Sequence, residues 1–310
     1  MSQHPPSPLR VALAAPTNHV SNRGPASPSR VVTGITGLPA VPMRKERLVC
    51  ATWNVWGHES NWRNRVNQLC QILGVLTPDV LLLQEVNVEL LGILDGFLRT
   101  RGLIRVSGQE AGWTCESGIY YSSSMFNLVG CGLEADLKMQ GAYFQHRGLF
   151  WARLKLTSSD CVDGPCVVVS TAHLPWVGSE EEVTSGVNQR IACSHAINNH
   201  LERIQMDNDV LTIFGGDLNE DFHPVRILTS CSSFREVFSE LDQPPPITHP
   251  VRPSDPFEEA RPDRCLDWLF YKPQSQAICR PLCAMAKRIK GGYPPASDHL
   301  PVCAVLELTY

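Results

Sequence analysis

Hydrophobic and polar positions predict alternating strands and helices between residues 47 and 98. The segments 47–54 and 80–85 have the pattern of strands, and the second is continuously apolar, as is typical of a strand covered on both faces. Apolar residues at steps of three and four predict helices over 61–76, with Ser60 as a candidate N-cap, and over 88–98. This alternation predicts an α/β layer architecture.

Strands dominate the rest of the chain, and one long helix, over 187–204, returns it to a buried strand. The predicted strands are 117–121, 125–130, 148–156, 167–173, 210–214 and 265–270, followed by a terminal strand that reaches Leu308, and 224–230 is a short predicted helix. Runs of strands after an αβ opening favour a mixed sheet with antiparallel additions. No segment repeats at a fixed period, and the proline-rich segment 242–264 lies between strands that look like parts of one sheet, so we expect one domain over 46–310.

The segment 242–264 is rich in proline and must be a loop. It contains Arg252, Arg261 and Arg264 and lies just ahead of the strand 265–270. Two interpretations are open, a flap that faces the substrate and a solvated loop.

Residues 1–45 contain many Pro, Ser, Ala and Val residues and no Asp or Glu, because the first acidic residue is Glu46. This composition predicts either a disordered leader or an organellar transit peptide. The prolines argue against the amphipathic helix of a mitochondrial signal.

Composition narrows the class of protein. With 310 residues and 43% hydrophobic content the chain can bury a large core, and its formal charge of −4 provides no general field for nucleic acid. The 12 cysteines include no C-x-x-C pair, which indicates reduced thiols, and no apolar run approaches the ~20 residues of a membrane span. We expect an intracellular monomer, cytoplasmic or nuclear, with organellar import through residues 1–45 as the alternative.

Polar side chains follow several of the predicted strands. In the stretch 214–219 we expect two glycines to let the chain turn sharply, and the alternation of an extended chain to place Asp217 and Asn219 on one side. Gly-Asp-x-Asn is also ordinary turn chemistry, so this stretch alone leaves both interpretations open. Eight polar residues at or beside strand ends favour a single shared cleft, namely Asn54, Glu85, His173, Asp217, Asn219, Asp267, Asp298 and His299.

Four short motifs carry a resemblance to a known family. They are Thr52-Trp53-Asn54, Leu83-Gln84-Glu85, Gly216-Asp217-Leu218-Asn219 and Ser297-Asp298-His299. In this order they resemble the signature motifs of the endonuclease/exonuclease/phosphatase superfamily, of which the deoxyribonuclease I-like enzymes are members, over nearly all of 47–308. The resemblance implies a four-layer α-β-β-α sandwich with two mixed sheets, and hydrolysis of phosphate esters with Mg²⁺, or Mn²⁺ as the alternative ion.

The resemblance also implies the metal ligands and the residue that activates water. Glu85 becomes the principal ligand, with Asn54 and Asp298 beside it, and such oxygen donors suit a hard cation. Asp217 would orient or deprotonate the attacking water, and Asn219 would hold a phosphate oxygen.

Histidine roles follow from the same resemblance. His173 and His299 would donate to phosphoryl oxygens, and Asp267 would fix the tautomer of His299. Glu116 is a weaker candidate for orienting His173.

Two arginines and four tryptophans have open interpretations. Arg147 and Arg190 are either phosphate contacts or surface arginines. The tryptophans either stack on bases or fill the core, and they are Trp56, Trp113, Trp151 and Trp176.

We therefore expect a Mg²⁺-dependent phosphodiesterase that acts on nucleic acid or a nucleotide adduct, most similar to the tyrosyl-DNA phosphodiesterase-like branch. The sequence after Asn219 departs from that branch. The alternatives are a phosphatase or phospholipase of the inositol phosphate or sphingomyelin type, and an inactive binding module that kept the fold. The near-neutral charge favours the smaller substrates.

Overall fold

A computed structural model of the chain describes residues 43–58, 61–158, 164–249, 264–274, 277–287 and 295–310. Within these ranges, two six-stranded β-sheets lie between layers of helices. None of the described helices combines the length and the apolar composition that a membrane span requires. The predicted leader falls outside the described ranges except at its last residues, because the first strand begins at Lys45.

One sheet contains the N-terminal and C-terminal strands. Its strands in spatial order are β11 (Ile278–Ala286), β12 (Val302–Thr309), β1 (Lys45–Asn54), β2 (Val80–Gln84), β4 (Ser117–Ser122) and β3 (Leu103–Arg105). The pair β1 and β2 is parallel, and every other neighbouring pair is antiparallel.

The second sheet repeats this plan. Its strands in spatial order are β5 (Phe126–Glu134), β6 (Leu149–Leu156), β7 (Cys166–His173), β8 (Asp209–Asp217), β10 (Asp267–Pro273) and β9 (Arg235–Glu236). Only β7 and β8 run parallel among its described pairs. Both sheets are therefore mixed, as the resemblance implied.

Four helices cover the outer faces of the two sheets, namely α1 (Trp62–Leu76), α2 (Val88–Arg99), α5 (Gln189–Arg203) and α6 (His223–Ser232). Two short helices, α3 (Gly112–Cys115) and α4 (Glu180–Ser185), complete the described α-helices. Apolar residues of α1 and α2 pack on the first sheet, and those of α5 and α6 pack on the second. A third cluster fills the space between the sheets, with Leu82 on one side and Ile213 on the other. This confirms the four-layer α-β-β-α sandwich.

Three strands were not predicted from the sequence. Strands β3 and β9 have only three and two residues, too few for a pattern to show. Strand β11 is an edge strand with several exposed residues, and its pairing with β12 shifts register between Pro281 and Cys283. Proline within a run of this kind is typical of edge strands and bulges.

The helix predicted over 187–204 is present as α5, but two of the five apolar residues whose spacing predicted it do not lie on its buried face. Val187 precedes the helix and is exposed, and Ile191 is also exposed. Cys193, Ile197 and Leu201 form the apolar contact with the sheet. Asn188 caps the helix by accepting a hydrogen bond from the backbone of Arg190.

The parallel pairs of both sheets end on the same side of the molecule. Asn54 pairs with Gln84 in one sheet, and His173 pairs with Asp217 in the other. Gln84 Nε2 donates to Thr171 Oγ1 at 2.8 Å, which joins the two sheets just below these ends. The carboxyl ends of four strands therefore converge, as expected of a site built on rigid elements.

Candidate active site

Asp217 lies at the centre of the converging strand ends. Its Oδ2 accepts a hydrogen bond from Asn54 Nδ2 at 3.0 Å, across the gap between the sheets. The Nε2 atoms of His173 and His299 lie 3.4 and 3.7 Å from the same oxygen. One buried carboxylate oxygen therefore faces an amide and two imidazoles.

The two glycines before Asp217 do not turn the chain, contrary to the prediction. Strand β8 continues through Gly215 and Gly216 as far as Asp217. Glycine is needed for a different reason, because a Cβ on Gly216 would collide with the carbonyl oxygen of Ala172 in β7. The close approach of β7 and β8 brings His173 beside Asp217.

Asn219 also reaches the cleft by a route that differs from the predicted one. Its φ of 52° is left-handed, so the alternation of an extended chain does not apply between 217 and 219. The backbone N–H of Asn219 donates to Asp217 Oδ1 at 2.9 Å, and Nδ2 of Asn219 donates to the carbonyl of Leu174 at 2.9 Å. The local turn that the sequence left open is thus present, and it positions both side chains.

Glu116 contacts the ring nitrogen of His173 that faces away from the centre. His173 Nδ1 lies 2.8 Å from Glu116 Oε1, and His58 Nε2 lies 3.5 Å from Glu116 Oε2. Burial disfavours the charged carboxylate, but the guanidinium of Arg147, 3.3 Å away, and the two histidines outweigh it. The pKa of Glu116 is therefore far below its usual value, and the carboxylate fixes the His173 ring with Nε2 towards Asp217.

His299 has a carboxylate partner of its own. Its Nδ1 lies 2.7 Å from Oδ2 of Asp267, a fully buried residue that pairs with Asp217 in the sheet. Ser297 holds the segment in place, because its Oγ donates to the carbonyl of Asn54 at 2.7 Å and accepts from the backbone N–H of His299 at 3.1 Å. The predicted Asp267–His299 contact is present.

The charges of the site influence one another strongly. Burial disfavours ionisation of Asp217, but the neighbouring His299 and His173 outweigh it and lower the pKa of this carboxyl. Burial also disfavours the charged form of His299, yet Asp267 and Asp217 raise its pKa well above the usual value. Near neutral pH the site therefore presents an ionised carboxylate beside a protonated imidazole.

Oxygen donors for a cation lie around the same centre. Glu85 follows β2 with a left-handed φ of 55°, and its Oε1 accepts from Asn54 Nδ2 at 2.9 Å. Among the described His, Cys, Asp and Glu residues, two groups of three have donor atoms that all lie within 4.8 Å of one another. They are His249 with Asp298 and His299, and Asp217 with Asp267 and His299. The predicted ligand Asp298 belongs to one group, whereas Glu85 belongs to neither. A donor set of carboxylates with an amide oxygen fits a hard divalent cation.

A cleft of about 720 Å³ opens above these residues. Glu85, His173, Asp217, Asn219, Asp298 and His299 line it. Asn54 and Asp267 are fully buried and contact the lining side chains from below. The structure thus brings all eight predicted site residues together.

The two arginine candidates differ in their surroundings. Arg190 is buried, donates to Glu182 and Glu220, and also donates to the carbonyl of Pro175 at 3.0 Å. It is neither a surface residue nor part of the cleft lining, because ion pairs fix its guanidinium between α4 and the loop after β8. Arg147 does line the cleft.

Several lining residues were not predicted from the sequence. His58 and His249 lie outside the named strands and helices, and Tyr143 lies in a short 3₁₀ helix, so no strand end marked them. Trp56 and Trp176 were candidates for base stacking and do line the cleft. Trp113 is buried in the core. Residues 250–263 of the proline-rich segment lie outside the described residues. His249 and Arg264, on either side of them, pair through their backbones in an isolated antiparallel β-bridge, and both line the cleft.

Comparison with known proteins identifies the family. The model of the Endonuclease/Exonuclease/phosphatase family matches residues 51–299, which is most of the chain. The chain therefore belongs to this family. A sequence search of the curated proteins gave no significant match.

Solved structures share the fold at low sequence identity. TDP2 of D. rerio, complexed with single strand DNA product, is 18% identical with a TM-score of 0.69, and the match covers 84% of this chain and 98% of that one. A mannosyl-6-phosphatase of Bacteroides thetaiotaomicron is 16% identical, TM-score 0.65, with 84% and 99% covered. The catalytic domain of human Nocturnin, with bound sulfate anion, is 16% identical, TM-score 0.61, with 88% and 99% covered. These likenesses establish the fold and leave the substrate open.

Proposed function

We propose that the chain is a Mg²⁺-dependent phosphodiesterase that hydrolyses a phosphodiester bond in nucleic acid or in a nucleotide adduct. The observation that carries the proposal is the arrangement around Asp217. Its Oδ2 faces the Nε2 atoms of His173 and His299 at 3.4 and 3.7 Å, and each histidine has a carboxylate on its other nitrogen.

In this proposal Asp217 orients the attacking water and accepts its proton. The lowered pKa of Asp217 keeps the carboxylate ionised near neutral pH, so it is in the form that a base requires. Asn54 fixes the carboxylate through Oδ2, and the backbone of Asn219 fixes it through Oδ1.

His173 and His299 donate to the phosphoryl oxygens. Their Nε2 atoms face the cleft side of Asp217, while Glu116 and Asp267 hold the Nδ1 atoms. Because the pKa of His299 is raised, its imidazole carries a proton on Nε2 near neutral pH. This N–H stabilises the negative charge that builds up on the phosphoryl oxygens in the transition state. Asn219 uses its second amide N–H for a phosphate oxygen, since one N–H already donates to Leu174.

Glu85, Asn54 and Asp298 would hold the divalent cation. When bound, such a cation neutralises charge on the phosphoryl group. Asn54 Oδ1 accepts a hydrogen bond from the backbone of Trp56 and keeps a second lone pair for this role.

Substrate class rests on two kinds of support. Structural similarity to D. rerio TDP2, which is complexed with single strand DNA product, favours nucleic acid or an adduct. So does the opening Thr52-Trp53-Asn54-Val55-Trp56-Gly57, which resembles the tyrosyl-DNA phosphodiesterase-like branch. The formal charge of −4 and the similarity to a mannosyl-6-phosphatase favour a second candidate, a phosphatase acting on a small phosphate ester.

A substrate panel separates the two candidates. The purified full chain is assayed with Mg²⁺ and with EDTA on a single-stranded DNA, an RNA, a 5′-tyrosyl oligonucleotide, a sugar phosphate, an inositol phosphate and sphingomyelin. Metal-dependent cleavage of an oligonucleotide supports the proposal, and cleavage of a small phosphate alone favours the second candidate. Binding without cleavage of any member would indicate a binding module.

A further inference from the structure

Two exposed aromatic side chains stand at one side of the cleft. Tyr143 belongs to a short 3₁₀ helix, Ala142–Phe144, before β6, and Trp176 follows the end of β7 by three residues. Their ring centroids are 4.9 Å apart at an angle of 90°, and both rings line the cleft. We refer to Tyr143 and Trp176 together as the aromatic wall.

Buried groups hold the aromatic wall in place. Phe144 is buried and its ring lies 5.1 Å from that of Trp176. The guanidinium of Arg147 lies 5.1 Å from the Phe144 ring and 5.9 Å from the Trp176 ring. Contacts of this kind fix the orientation of an aromatic side chain before any ligand arrives.

Arg147 connects the aromatic wall to the catalytic residues. Its Nη1 donates to the carbonyl of Leu174 at 2.9 Å, one residue beyond His173. Its Nε lies 3.3 Å from Glu116 Oε1, the oxygen that contacts His173 Nδ1. The aromatic wall is therefore positioned relative to the reacting centre by the same buried ion pair that orients His173.

Folding does not account for the exposure of the aromatic wall. Tyr143 is 70% exposed and Trp176 is 37% exposed, whereas the neighbouring Phe144 is 3% exposed. A large aromatic side chain left in water gains little from the hydrophobic effect, and two such side chains in contact form an apolar surface that suits a ligand.

We propose that the aromatic wall stacks on a nucleobase attached to the phosphate that is cleaved. This inference rests on the proposed phosphodiesterase function and specifies what the site recognises beside the phosphate. A base has a flat π-face, which stacks on Tyr and Trp rings whatever its sequence. An acyl chain would need a continuous aliphatic surface. The described residues that line the cleft include just two aliphatic side chains, those of Val177 and Leu266, which do not form such a surface.

The test compares oligonucleotides that differ by a single base. Single-stranded substrates carry either a normal nucleotide or an abasic tetrahydrofuran residue, on each side of the cleaved bond in turn, and cleavage positions are read on denaturing gels. We expect Trp176→Ala and Tyr143→Ala to lower kcat/KM on the normal substrate by about 5- to 150-fold, the range typical of base–aromatic stacking. The loss should lie mainly in KM, it should vanish on the abasic substrate at one position, and Trp176→Phe should recover most of it.

A matched control and two contrary outcomes complete the experiment. Phe222→Ala removes an aromatic side chain that is 54% exposed and does not line the cleft, so it should act like the parent on both substrates. If Trp176→Ala and Tyr143→Ala lose equal activity on normal and abasic substrates, the stacking proposal is wrong while the proposed function stands. If the parent cleaves no oligonucleotide, both are overturned.

Discussion

Asn54 donates a hydrogen bond of 3.0 Å to Asp217, and this bond joins the last residues of two strands that belong to different sheets. The same amide group donates to Glu85 at 2.9 Å. The side chain of Asn54 therefore sets the position of the proposed base relative to the proposed principal metal ligand.

Removing this amide should reduce turnover. Asn54→Ala leaves both carboxylates without their shared donor and also removes a proposed metal ligand. We therefore expect kcat to fall at least about 10- to 100-fold, the loss that is typical when even a supporting contact of a metal site is removed. Loss of the buried hydrogen bonds should lower the free energy of unfolding by about 1–3 kcal/mol. Asn127→Ala, at an exposed position of β5, is the control for both measurements. Unchanged kinetics for Asn54→Ala would show that Asp217 needs no such support.

The contact between Asp267 and His299 predicts a shift in the pH dependence of activity. His299 must be protonated to donate, and because its pKa is raised, activity should persist above its usual value of 6.5 before it declines. Asp267→Asn removes a carboxylate that raises this pKa, so the basic limb of the pH–rate profile should move to lower pH. We expect kcat to fall about 10²- to 10⁴-fold as the proton donor is weakened. A lower rate with an unmoved basic limb would assign Asp267 a purely structural role.

Gly216 should tolerate no side chain. A Cβ at this position meets backbone of β7, so Gly216→Ala must push β7 and β8 apart and displace His173 from Asp217. We expect a loss of about 1–3 kcal/mol in the free energy of unfolding, the usual cost of overpacking, together with a loss of activity. Gly130→Ala is the matched control, because its Cβ meets nothing within 4 Å. Equal unfolding curves for the two variants would contradict the close approach.

Glu220 should contribute stability through the buried Arg190. Burial opposes ionisation of Glu220, but hydrogen bonds from Arg190, Asn188 and His223 outweigh it and lower its pKa from 4.5 to about 2. A carboxyl whose pKa is lowered by folding stabilises the fold above its unfolded pKa, and this stability is lost as pH falls through the folded pKa. Glu220→Gln should therefore cost about 1–3 kcal/mol near neutral pH.

The pH dependence of that cost provides the check. The free energy of unfolding, measured with denaturant, should differ between parent and variant by the full amount above pH 4.5. This difference should shrink as the pH falls towards about 2. Glu307→Gln, which removes a partner of the exposed Arg280, should leave the free energy of unfolding nearly unchanged at every pH. If the difference in the free energy of unfolding between parent and Glu220→Gln does not change with pH, the charge of the Glu220 carboxylate does not contribute to stability.

The clustering of the candidate site residues could be predicted from the sequence because these residues stand at strand ends. Asn54, His173 and Asp217 each end a strand of buried residues, and hydrophobic patterning shows where such strands stop. The four motifs then gave the family and the four-layer sandwich. The local backbone geometry was harder to predict from the sequence. The left-handed φ of Asn219 and the close approach of β7 to Gly216 depend on neighbouring strands.

The other features that the sequence did not predict depend on contacts between segments that are distant in the chain. Arg190 has the sequence context of a surface arginine, yet Glu182 and Glu220 pair with it in the folded chain. The side chains of His58 and His249 reach the cleft from loops whose course the sequence does not specify. Tyr143 and Trp176 are far apart in sequence, and only the fold makes them neighbours.

The most direct test of the account is the activity of Asp217→Asn beside Asp207→Asn. The first replaces the carboxylate between the two histidines, and the second replaces an exposed carboxylate elsewhere. With thermal unfolding recorded for both, kcat/KM is measured on a single-stranded oligonucleotide with Mg²⁺. We expect Asp217→Asn to remain folded and to lose about 10³-fold or more, as when a catalytic base is removed, while Asp207→Asn matches the parent. A folded Asp217→Asn that cleaves the oligonucleotide at the parent rate would contradict the assignment of this site.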